Sequence, residues 1–81
     1  MAHRTWVQED PAVMASDFRY GTILSVYSWM PHGRRLFFMV KLQHGGEITW
    51  NGVDNGVRMG AKPGGLTLDD AFDALRAEAE L

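Results

Sequence analysis

The chain has 81 residues, a formal charge of −2 and no cysteine. That length suits one domain, and the missing cysteine excludes disulfide staples, thiolate metal sites and a cysteine nucleophile. A hydrophobic content of 46%, with three Trp, two Tyr and four Phe, can supply a core and excludes wholesale disorder.

The charges are unevenly distributed. Residues 18–62 hold Arg19, Arg34, Arg35, Lys41, Arg58 and Lys62 against Glu47 and Asp54, so the middle is basic. The ends are acidic: Glu9, Asp10 and Asp17 outnumber Arg4, and Asp69, Asp70, Asp73, Glu78 and Glu80 outnumber Arg76. Met1 to Asp10 contains no apolar run, which reads against a signal peptide. The longest apolar run, Leu36 to Val40, is too short to span a membrane. A soluble, cytoplasmic protein with no membrane partner is expected.

In chain order, His3 to Gln8 reads as an edge strand. Asp10-Pro11 then opens a short helix through Ala15, with proline at its first position. Thr22 to Met30 is rich in β-branched and aromatic residues and stops at the turn Pro31-His32-Gly33. Arg35 to Leu42 alternates, with Leu36, Phe38, Val40 and Leu42 on one face and Arg35, Phe37, Met39 and Lys41 on the other. Gln43-His44-Gly45-Gly46 turns the chain into a strand from Glu47 to Val53. Asn55-Gly56 is a two-residue hairpin signal that calls for positive φ. A short strand, Val57 to Met59, precedes a loop from Gly60 to Gly65.

The C-terminal segment is the clearest helix. Thr67 and Asp70 make a start resembling a capping box, and Leu68, Ala71, Phe72, Leu75 and Ala79 recur at helical spacing. Asp69, Asp73, Arg76 and Glu80 lie off that stripe, where Arg76 reaches Asp73 and Glu80. The elements together predict a single α+β domain over residues 1–81. Its sheet is an antiparallel meander of about four strands, with the amphipathic helix packed on it; closure into a small barrel is the alternative.

Gly21-Thr22-Ile23, then Phe38-Met39-Val40-Lys41-Leu42, then Gly45-Gly46-Glu47-Ile48 give residues 20–48 a resemblance to the opening of small OB or SH3-like β-barrels. That resemblance implies a groove for nucleic acid or peptide, with a fifth strand from the N-terminal arm, and brings no functional residue with it.

No constellation points to catalysis. Gly60-Ala61-Lys62-Pro63-Gly64-Gly65-Leu66-Thr67 has the glycine spacing and threonine of a phosphate loop, but Leu66 stands where the lysine is required. His3, His32 and His44 lie in the arm and two separate turns, without ligand spacing. Ser16, Ser25 and Ser28 lack a nucleophile-elbow context. Asp69, Asp70 and Asp73 are accounted for by the helix dipole and cap. Neither an enzyme nor a cofactor or metal is expected.

A binding surface is the stronger signal. If the helix covers the Leu36/Phe38 face, Phe37 and Met39 emerge among Arg34, Arg35 and Lys41, near Trp29. In the opposing reading the N-terminal arm folds over that second face and buries Phe37 and Met39. The open arrangement stacks single-stranded bases or docks a protein equally well. An acidic surface of Asp69, Asp70 and Asp73 is a second candidate contact. In size and style the chain resembles the small inhibitors of phages and mobile elements, anti-CRISPR proteins included, which implies steric block or mimicry. A protein partner is the leading expectation. Nucleic acid is the alternative, weakened by a pI of 5.8, and a homodimer remains open.

Overall fold

The computed structural model describes residues 4–79. Five strands, β1 (Val7–Glu9), β2 (Thr22–Trp29), β3 (Phe37–His44), β4 (Glu47–Asp54) and β5 (Val57–Pro63), precede one helix, α1 (Leu68–Ala79). The strands pair antiparallel in chain order as an open meander, with β1 and β5 as its edges. The fold is α+β as expected, and the sheet does not close into a barrel. Among the described residues, no helix is long and apolar enough to cross a membrane.

The strand count exceeds the expected four because the arm contributes β1, antiparallel to β2 with Val7 opposite Ser28 and Glu9 opposite Val26. His3, where the expected edge strand began, lies outside the described residues. The expected short helix is a 3-10 turn over Pro11–Met14, capped by Asp10, whose Oδ1 accepts from the Ala12 N–H at 2.9 Å. The β4–β5 hairpin turns at Asn55 (φ 49°) and Gly56 (φ 91°), the left-handed pair that a tight hairpin demands.

β5 runs to Pro63, beyond the expected end at Met59. The register shifts between Gly52 and Val53 of β4, and Gly60 takes φ 134°. Glycine and proline read as loop in the sequence, but an edge strand with a bulge tolerates both, since one side has no ladder to complete. Thr67 caps α1 as expected, its Oγ1 accepting from the Asp70 N–H at 3.1 Å.

The central strand β3 is buried on both faces. Phe37 and Met39 face α1 and join Trp50, Ala71, Phe72 and Leu75 in one core cluster. Val40 and Leu42 face the other way and pack with Val26, Val53, Met14 and Phe18 in a second cluster. The helix therefore covers the Phe37/Met39 face, and the arm segment through Met14 and Phe18 covers the Val40/Leu42 face. This corrects the expected assignment of the helix to the Leu36/Phe38 face. Of the helical stripe, Ala71, Phe72 and Leu75 are buried, whereas Ala79 is exposed.

Glycine permits the close approach of α1. A Cβ on Gly52 would stand 2.8 Å from Leu75 Cδ1 and 3.0 Å from Met59 Sδ. The two faces predict different mutational costs. Phe72 is fully buried, so Phe72→Ala should cost about 3–5 kcal/mol, whereas Phe38→Ala, only partly buried, should cost clearly less. Urea denaturation of the two variants measures the difference, and equal losses would contradict this facing of the helix and the sheet.

Candidate functional site

The basic, aromatic face expected from the sequence is not a surface platform. Phe37 (1% exposed) and Met39 (0%) are core residues under α1, which corrects their assignment as partner contacts. Trp29 stacks on Phe37 at 5.7 Å and meets Phe72 edge-on at 5.8 Å. The neighbouring cations cap these rings. Arg35 lies 5.3 Å from the Phe37 ring centre and donates Nε–H to Asp54 Oδ1 at 2.7 Å. Lys41 stands 5.3 Å over Trp50, and Arg76 lies over both Phe37 and Phe72. Arg58 sits 4.5 Å over Phe18 and donates to the Asp17 carbonyl. Of the proposed contact cations, Arg34 is the one left exposed in the β2–β3 connection with no ion pair among the described residues.

Two of the three expected acidic contacts on α1, Asp69 and Asp73, are equally committed. Arg4 lies against the helix with only 11% of its side chain exposed; its Nη1 donates to Asp69 Oδ1 at 2.8 Å and its Nη2 to Asp73. Trp6 Nε1–H adds a second bond to Asp69 Oδ1, at 3.0 Å. The guanidinium also lies over the rings of Trp29 and Phe72. Burial opposes its charge, but the hydrogen bonds and charges of Asp69 and Asp73 outweigh that and hold Arg4 above its ordinary value. Asp69 and Asp73 thus tie the arm to the helix, while Asp70 remains exposed. No spacing pattern marks Arg4 and Trp6 in the sequence, because their partners are more than sixty positions away.

The other motifs stay apart. His32 occupies an exposed turn at φ 58°, and His44 rests edge-on against Tyr20 at 5.4 Å. His3 lies outside the described residues. Gly60 to Pro63, the first half of the loop resembling a phosphate site, belongs to β5, and the Leu66 carbonyl accepts from Trp50 Nε1–H at 2.9 Å. Among the described residues no group of three or more His, Asp or Glu could hold a metal ion.

What the surface does offer is a groove on the face opposite α1. Met14 and Phe18 cover only part of that face, and the remainder is a hollow of about 550 Å³. Phe38 and Ser28 lie along its floor, and Val7, Val13 and Met30 stand around it. These last three are 54%, 46% and 50% exposed, so apolar surface converges at this point. Glu9 also lines the hollow, its Oε2 accepting from Ser28 Oγ at 2.6 Å. Sequence reasoning missed this groove, because its parts come from the arm and from two strands. The run Leu36 to Val40 was the available signal: apolar residues without a break mark a strand that needs cover on both faces.

Two outcomes test this arrangement. Arg4→Ala should lower stability by about 1–3 kcal/mol through lost charged hydrogen bonds and ring packing, with a red shift of tryptophan emission as Trp6 loosens. Asp54 provides the pH test. The Arg35 hydrogen bond, opposed by burial and aided by the charges of Arg35 and Arg76, holds its carboxyl below the usual range. Its contribution is therefore present above the unfolded value and lost as pH falls through the lower folded value. Between neutral pH and about pH 3, Asp54→Asn should lose less urea resistance than the native chain.

Comparison with protein-family models, with curated proteins and with solved structures returned no match.

Proposed function

We propose that this chain is a non-catalytic protein-binding module that docks through the groove opposite α1. The observation carrying this reading is the convergence of Val7, Val13 and Met30, each about half exposed, around one hollow with Phe38 on its floor. Apolar residues scattered singly over a surface need no explanation, but a cluster around a concavity is the form that protein interfaces take. Methionine and phenylalanine are among the residue types enriched in such interfaces.

The nucleic-acid alternative asks for rings and cations open to solvent together. Phe37 is buried, and Arg35 and Lys41 each stand over a packed ring, so that face has little to offer a base. The mode of action proposed is occlusion or mimicry of a partner surface. It follows the resemblance in size and style to small inhibitors of phages and mobile elements, of the anti-CRISPR type.

The test is affinity capture from a cell lysate with the native chain and with the double variant Val13→Asp, Met30→Lys. Both positions are exposed, so the variant should melt within a few degrees of the native chain. A protein retained by the native chain and lost from the variant is the expected result. Proteins retained equally by both would overturn the groove as the docking site, and recovery of nucleic acid alone would favour the alternative.

A further inference from the structure

The groove carries one charged residue, and its setting is unusual. Glu9 lies half-buried among Val7, Val13 and Phe38, with Oε2 fixed by Ser28 Oγ at 2.6 Å. Its Oε1 has no hydrogen bond or ion pair among the described residues. A carboxylate against apolar surface gains most from a cation that brings a charged hydrogen bond.

No cation among the described residues forms an ion pair with Glu9. Arg4, the cation of the arm, is turned to the opposite face and held by Asp69 and Asp73. Arg58, which β5 places opposite Val53, reaches the Asp17 carbonyl and the Phe18 ring instead. Asp10, next to Glu9, caps the Pro11–Met14 turn and adds a second negative charge close by. The groove therefore combines an apolar floor with one carboxylate that the protein itself aligns.

We infer that the groove accepts a cationic apolar segment of a partner protein. A bulky apolar side chain lies on the Phe38 floor, and a neighbouring lysine or arginine pairs with Glu9. This rests on the protein-binding reading above and adds to it the chemistry of the partner. The complementary charge selects among apolar partners and speeds their encounter, and an acidic segment is disfavoured by repulsion at Glu9.

The experiment is selection of a random twelve-residue peptide library, displayed on phage, against the immobilised full chain. Peptides that also bind the Val13→Asp, Met30→Lys variant are discarded. The expected result is enrichment of sequences with Phe, Leu, Met or Trp beside Lys or Arg. Their synthetic counterparts should bind Glu9→Gln roughly tenfold more weakly than the native chain, with a weaker salt dependence. Thermal melting of Glu9→Gln identifies any loss due to unfolding, and Glu9→Asp provides a second variant that keeps the charge. Groove-dependent peptides that are neutral or acidic, or that bind Glu9→Gln unchanged, would overturn the charge selection and leave the protein-binding reading standing. A library yielding no groove-dependent peptide would count against both.

Discussion

Strand β3 lies third of five in the sheet, and its residues Phe37 to Val40 are apolar without interruption. Such a strand cannot present either face to water, so the molecule must supply two covers. One is α1, brought in by the short connection after β5, and it seals Phe37 and Met39 with Phe72 and Leu75. The other is the N-terminal arm, which folds back as β1 and a 3-10 turn and places Met14 and Phe18 on Val40 and Leu42. An 81-residue chain has little other material for this purpose. The arrangement of charge, aromatics and groove follows from how the two covers are fitted.

The covers differ in completeness. The helix face is finished by an electrostatic clasp, with Arg4 and Trp6 reaching from the arm to Asp69 and Asp73. Cations there lie over rings that are already packed against one another, which lets long side chains close the edge of the core while their charges stay near water. The arm face has a smaller cover. A turn of four residues cannot span the sheet, and the ground between Val7, Val13 and Met30 stays open. The groove exists because one cover is a helix of three turns and the other is a 3-10 turn with the short segment that follows it to Phe18.

Much of the architecture was legible in the sequence. The hairpin at Asn55-Gly56, the cap at Thr67, the strand from Glu47 and the helix from Leu68 each carry their own local signal, and each forms where that signal lies. The proline at position 11 and the aspartate before it also marked a helical turn correctly. The candidate contacts were less legible. Alternation placed Phe37 and Met39 with Arg35 and Lys41 on one face, which is correct, but alternation does not say what lies above a face. Phe37 and Met39 turned out to be core, and Arg35 and Lys41 to be lids over rings. The groove drew on Val7, Val13 and Met30, three residues that no local pattern connects.

The sequence by itself determined the α+β class, the antiparallel order of the strands and the amphipathic helix, because turn chemistry, capping and apolar periodicity act over a few residues. Tertiary structure decided which cover lay on which face, that β5 continued through Gly60 and Pro63, and that Arg4 clasped a helix more than sixty positions away. It also decided where apolar surface was left open. Those outcomes depend on the fit of distant side chains, such as Leu75 against Gly52 and Met14 against Val40, and so on packing volumes that no short stretch of sequence contains.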